Sequence, residues 1–185
     1  MVLEDILLLK KIKRKKKNRK KIINLLKILA IVILVAIFLA FVIDKLLFSI
    51  VSIEGDSMQR TLYQGDKVLI KKIGIDIKDL NHDDIISFKG NDEKNYIKRV
   101  IGIPGDVIEI VNGKVFINGV QKIEGYIKGT ETLVYNQNKW FVTDNEVFVL
   151  GDNRLKDMSK DSRIMGNVNI KSINGKVIHN FSSER

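Results

Sequence analysis

Val107-Ile108-Glu109-Ile110-Val111-Asn112-Gly113-Lys114-Val115-Phe116-Ile117 decides the class of the fold. Val107–Val111 and Val115–Ile117 are short β-branched runs with no helical stripe, and Asn112-Gly113 between them tolerates the positive φ of a tight hairpin turn. Asn118-Gly119 follows directly after the returning strand. The same grammar recurs on both sides. Phe48–Ile53, Val68–Ile73, Ile85–Phe88, Tyr96–Ile101, Trp140–Val142 and Val147–Leu150 read as further strands. Helix signals are weak after residue 45, and Gln121–Lys139 reads as an irregular excursion from the sheet. Short strands separated by turn residues predict a mostly β, antiparallel domain.

The N-terminal quarter is different. Ile28–Ile43 is an unbroken apolar run of 16 residues. Extended back through Leu26, Leu25, Ile23 and Ile22, it approaches the roughly 20 residues that cross a bilayer. Asn24 and Lys27 dilute the extension, but a lysine near a helix end can reach the headgroups. A buried core helix and a cleavable signal peptide are the alternatives, yet no polar stripe breaks the run and no Ala-x-Ala follows it. An uncleaved anchor is the expectation.

Ten of the twelve residues Lys10–Lys21 are Lys or Arg. They match the whole net charge of +10, so the remainder is close to neutral. That distribution excludes a basic nucleic-acid surface on the body of the protein. Positive flanks stay on the cytoplasmic side. The expected layout is a basic cytoplasmic tail at 1–21, a transmembrane helix at 22–43 and an extracytoplasmic β-rich domain at 44–185. The chain has no cysteine, which excludes disulfides, thiol catalysis and cysteine-bound zinc.

Three places carry chemistry. Ser57, in Gly55-Asp56-Ser57-Met58, directly follows a strand, where Gly55 allows a sharp turn and an exposed hydroxyl. By residue type alone this is also an ordinary polar turn. A nucleophilic serine needs a base, and His82 and His179 have no spacing that suggests a triad. A lysine serves if burial lowers its pKa until the neutral amine is available. In Tyr96-Ile97-Lys98-Arg99-Val100-Ile101, alternation puts Lys98 on one face with Tyr96 and Val100, and Arg99 on the other. The third place is Gly151-Asp152-Asn153-Arg154 followed by Ser159-Lys160-Asp161-Ser162-Arg163. It reads either as a polar loop with an Asp161–Arg163 ion pair or as a buttress for the lysine.

Taken in order, Gly55-Asp56-Ser57-Met58-x-x-Thr61-Leu62, Tyr96-x-Lys98-Arg99-Val100-Ile101-Gly102-x-Pro104-Gly105-Asp106 and Gly151-Asp152-Asn153-Arg154 with Ser159-x-Asp161-Ser162-Arg163 resemble the bacterial type I signal peptidases. The resemblance covers roughly residues 20 to 180. It implies a signal-peptidase-like β fold, Ser57 as nucleophile, Lys98 as general base, Ser159 orienting the lysine, and Asp161 and Arg163 supporting the site. It implies no metal or cofactor, membrane lipid around the anchor, proximity to the secretion translocon, and secretory preproteins with small residues before the cut as substrates. Ser57 follows Ile43 by 14 residues, so an extended tether reaches only about 50 Å. A specialised pilus or conjugation peptidase of the same clan and a non-catalytic membrane-tethered β domain are the rival readings.

Two features depart from the family's pattern. Arg60 stands where proline is usual, so the turn after Ser57 lacks a ring that fixes φ. Four residues, Leu155 to Met158, separate Arg154 from Ser159 where two are typical. The longer loop bears on the placement of Ser159 and leaves the Ser57–Lys98 pair untouched.

Overall fold

The computed structural model describes residues 2–72 and 76–182. Ile73, expected at the end of a strand, lies outside them, as do Met1 and residues 183–185 of the expected 44–185 domain. The chain forms two compact units, Met1–Lys45 and Leu46–Arg185.

Helix α1 (Val2–Leu47) makes up the first. It is longer than the expected 22–43 span, because no glycine or proline precedes Gly55 and Lys, Arg and Leu are good helix formers. Its segment Asn18–Val42 has a window of mean hydropathy 3.2 and is long and apolar enough to cross a membrane. At 1.5 Å per residue it spans about 38 Å, against a hydrocarbon core of about 30 Å. Ile31, Leu34 and Phe38 are each at least 60% exposed, the opposite of a soluble core helix.

The described residues of the second unit form eleven strands in two antiparallel sheets. They are β1 (Phe48–Ser52), β2 (Lys67–Lys71), β3 (Ile85–Lys89), β4 (Asn95–Gly102), β5 (Val107–Val111), β6 (Lys114–Ile117), β7 (Val120–Gln121), β8 (Lys139–Phe141), β9 (Glu146–Leu150), β10 (Val168–Asn169) and β11 (Ile173–Asn180). A four-stranded sheet runs β7-β6-β5-β8, and a seven-stranded sheet runs β1-β2-β11-β3-β4-β9-β10. The mostly β expectation holds.

Val111 pairs with Lys114 across Asn112 and Gly113, whose φ values are 47° and 73°. Asn118-Gly119 makes a second such turn, at φ 53° and 81°, and folds β7 back onto β6. Ile108, Ile110, Val115, Trp140, Phe148 and Leu150 pack beneath this sheet as one cluster. A second cluster, with Ile86, Phe88, Val100 and Val149, covers one face of β3, β4 and β9.

In the large sheet three strands separate β1 from β4, which in a flat sheet would hold them about 19 Å apart. The sheet instead curls, with register shifts in the β11 and β4 pairings where a bulge adds twist. Ile53, Met58, Leu62, Val68 and Ile70 fill the concave side, joined by Ile97 of β4. The curl brings the end of β1 over the start of β4. That juxtaposition makes the site.

Candidate active site

Ser57 sits on a turn that the core holds down from both sides. Met58 and Leu62 are 2% exposed and pack with Ile53. Met58 accepts the N–H groups of Thr61 and Leu62, and Asp56 accepts that of Gln59. Gly55, at φ 77°, makes the sharp entry. The turn therefore has little freedom, while Ser57 itself is only half-buried.

Lys98 lies mid-strand on β4, between β3 and β9, and is 2% exposed. Its Nζ donates to Ser57 Oγ at 2.7 Å and to the Ile97 carbonyl at 3.0 Å. The Tyr96 ring centroid lies 5.5 Å away, as same-face alternation requires. Burial pushes the Lys98 amine down from its ordinary 10.5 to about 8. The charges of Asp161 and Asp152 work against that shift, and the charge of Arg163 works with it.

Asp161 is fully buried, and an unpaired carboxylate there would hold Lys98 protonated. It is not unpaired. Arg163 donates to both its oxygens from Nε and Nη2, each at 2.8 Å. Ser159 Oγ donates to Asp161 Oδ2 at 2.7 Å, and the Gly151 N–H to the same oxygen at 3.1 Å. Asp161 also caps the short helix α2 (Ser162–Met165) by accepting from the Arg163 N–H. Among the described residues, the Ser159 hydroxyl bonds Asp161, whereas the Lys98 amine bonds Ser57 and Ile97. The four-residue segment Leu155–Met158, two residues longer than is typical, closes as a surface turn in which the Met158 N–H meets the Leu155 carbonyl at 3.2 Å.

Gly151 is the junction of these parts. A Cβ there would meet Ser159 Oγ at 2.2 Å and the Ser57 carbonyl oxygen at 2.6 Å. No side chain fits between the serine turn and the buttress.

Arg99 points to the other face of β4, as the alternation predicts, but it is 8% exposed and not solvated. Its Nε and Nη2 donate to Asp152 at 2.8 and 2.5 Å, and its guanidinium lies 4.0 Å from the Tyr126 ring centroid. Thr61 also donates to Asp152. Arg154 is 1% exposed and is met by Glu124 and Thr132. Arg163 Nη1 reaches the Leu133 carbonyl. Glu124, Tyr126, Thr132 and Leu133 all belong to the stretch read from sequence as a mere excursion. Mixed polarity concealed their role; the readable signal was the number of arginines in the flanking motifs that required partners.

Neither histidine reaches the serine. His82 Nε2 is 2.7 Å from Asp106 Oδ2, and His179 is exposed against Phe181. A cleft of about 420 Å³ opens over the pair. The end of β1, the serine turn and Asn95-Tyr96-Ile97 of β4 line it, with Met158 and Lys160 at its border. Among the described residues no group of three His, Cys, Asp or Glu is placed to hold a metal. A hydroxyl against a desolvated amine in an open cleft can be activated for acyl transfer.

The sequence model for signal peptidase, peptidase S26, matches residues 23–181. Signal peptidase I of Bacillus caldolyticus is 37% identical over 155 residues, covering 77% of this chain and 84% of that protein. Signal peptidase IB of Staphylococcus aureus is 33% identical over 165 residues, covering 80% and 85%. The crystal structure of a signal peptidase I from Enterococcus faecalis is 32% identical, covers 56% of this chain and all of that one, and has a TM-score of 0.46. With a family match across most of its length and relatives above 30% identity over three quarters of it, this chain belongs to the signal peptidase S26 family.

Proposed function

We propose that this peptidase, whose family function is the removal of signal peptides, cuts with Ser57 as nucleophile and Lys98 as general base. The observation that supports it is the 2.7 Å contact between Lys98 Nζ and Ser57 Oγ. With the amine neutral, the hydroxyl donates in that contact. Ser57 Oγ attacks the scissile carbonyl while its proton passes to Lys98, and the Ser57 N–H receives the oxyanion. The C–N bond breaks as Lys98 returns the proton to the leaving amine. A water then gives its proton to Lys98 and attacks the ester, and Ser57 leaves with that proton restored.

Arg163, the Gly151 N–H and Ser159 share the charge of Asp161, so the carboxylate does not fix Lys98 as an ammonium. In this role Ser159 acts through Asp161. The substrate lies extended in the cleft beside β1, an edge strand with free backbone groups. Alternate side chains then face the protein, which suits small residues at the first and third positions before the cut.

The layout that accompanies this reading is a cytoplasmic tail at 1–21, a lipid-embedded span at 22–43 and an extracytoplasmic domain at 44–185. Its basis is the basic block before the apolar run. Preproteins emerging from the translocon would meet the cleft there. The pilus or conjugation alternative and the non-catalytic alternative are not favoured, since the relatives are signal peptidases I and IB.

Purified full-length enzyme should cleave a model preprotein, and Ser57→Ala should abolish cleavage. Retained cleavage by folded Ser57→Ala would sink the reading. Protease added outside intact cells should digest the β domain and spare the tail; a protected domain would reverse the orientation.

A further inference from the structure

Asn153 is fully buried, two residues after Gly151, and it grips the serine turn with both of its donor groups. Its backbone N–H donates to the Ser57 carbonyl at 2.9 Å. Its side-chain Nδ2 donates to the Asp56 carbonyl at 3.0 Å. The Asp56 carbonyl and the Ser57 N–H belong to one planar trans peptide, in which the two groups point in opposite directions. Whatever fixes the oxygen therefore aims the N–H. Among the described residues the Ser57 N–H has no hydrogen-bond partner, whereas the Asp56 carbonyl has two, Asn153 Nδ2 and the Gln59 N–H at 3.1 Å.

From this geometry we infer that Asn153 is a positioning residue for oxyanion binding. Its amide pins the Asp56–Ser57 peptide so that the Ser57 N–H faces the cleft, away from the buried asparagine. A hydrogen bond to a carbonyl also polarises its peptide and strengthens the N–H at the other end. The Gln59 bond belongs to the turn itself and would survive a change at 153; the Asn153 bond comes from a different strand end and ties the turn to the frame. The inference rests on Ser57 as the nucleophile.

Asn153→Asp keeps the Oδ1 that accepts from the Leu155 N–H and replaces the donor Nδ2 with an oxygen, while adding a buried charge. Asn153→Ala removes the donor without adding charge, together with Oδ1, and carries the test if the aspartate variant does not fold. Removal of a whole oxyanion donor lowers kcat by about 100- to 1,000-fold, so misaiming one should lower it by roughly 10- to 100-fold. A peptide boronate, which forms a tetrahedral adduct on Ser57, should lose affinity by a similar factor. An uncut peptide spanning the cleavage site, measured in a Ser57→Ala background, should bind within about twofold with and without the Asn153 change. In Asn153→Ala the pH midpoint of kcat should not move, because Lys98 is untouched and no charge is added. Equal weakening of boronate and uncut peptide would reduce Asn153 to general scaffolding, and a kcat within threefold of the parent would overturn the inference. In either case the dyad stands so long as Ser57→Ala is inactive. Cleavage by Ser57→Ala would instead remove the reading beneath both.

Discussion

Lys98 and Arg99 are neighbours on one strand, buried on opposite faces, and the protein treats their charges in opposite ways. Burial works against both. At Arg99 the hydrogen bonds and charge of Asp152 outweigh it and hold the guanidinium above its ordinary value. At Lys98 no carboxylate among the described residues makes contact, and burial prevails. Lys98 is the deeper of the two, and what it meets there is neutral: Ser57 and the Ile97 carbonyl, where Arg99 meets Asp152. A side chain meant to keep its charge is given a bidentate partner, whereas one meant to give up its proton is given a hydroxyl and a carbonyl.

Removing the amine should have the largest effect. Lys98→Met and Lys98→Arg should lower turnover by about 1,000-fold or more, roughly 4 kcal/mol of barrier, with the domain still folded. In the parent, kcat/KM should rise with pH through an ionisation near 8. Substantial turnover by folded Lys98→Met, or loss confined to His82→Ala or His179→Ala, would break the contrast.

Next comes the partner of Arg99. Asp152→Leu leaves a buried guanidinium unpaired and should destabilise the domain by about 3–5 kcal/mol in denaturant titration. It should also lower the pH midpoint of activity, because Asp152 raises the Lys98 pKa.

The opposite sign is expected for the stability of Lys98→Met. The unfolded chain keeps its lysine proton up to 10.5, the native state only to about 8. Parent stability should therefore rise with pH between those values, and below 8 the buried amine is a burden of at most about 3 kcal/mol. Two lost hydrogen bonds offset part of it. Lys98→Met should melt higher than the parent at pH 7 and lack the rise above pH 8; a lower melting point would show that those hydrogen bonds dominate.

The smallest effect concerns Arg60. Its φ is 36°, a left-handed conformation that a proline ring at about −65° cannot adopt. The turn is thus differently shaped, and not merely looser, than one carrying proline. Arg60→Gly should change stability by no more than about 1 kcal/mol, while Arg60→Pro should destabilise by more than that. Equal melting of the two would contradict the turn geometry.

The elements legible in the sequence were those with local causes. Asn112-Gly113 marks its own hairpin, and Val147–Leu150 is apolar enough to be a buried strand on either face. The meeting of Ser57 with Lys98 was legible through motif order, and the opposite face of Arg99 by alternation. What could not be read was whatever depends on distant partners. Strand β11 was missed because Asn174-Gly175 carries turn chemistry and only Gly175 of its eight residues is buried. Gly175 is there because a Cβ would lie 2.3 Å from Ile70 and 2.6 Å from the Lys71 carbonyl. Likewise Glu124 and Thr132 look like any loop residues until Arg154 is set beside them. The excursion between β7 and β8 has no period because its order comes from three buried arginines.

The place of β11 also sets a timetable. It is the last of the described strands in sequence, yet it sits between β2 and β3. The small sheet can form early, because its two hairpins join neighbours within microseconds. The large sheet has to wait for residues 173–180 before β2 can be joined to β3, and closing such a long loop makes folding slow. Until then no strand links β2 to β3, and the serine turn is tied to β4 through the contacts of Asp152 and Asn153 and the Lys98–Ser57 bond. In a growing chain the serine and the lysine are therefore both made before the sheet that frames them is complete, which waits for Ile173–Asn180.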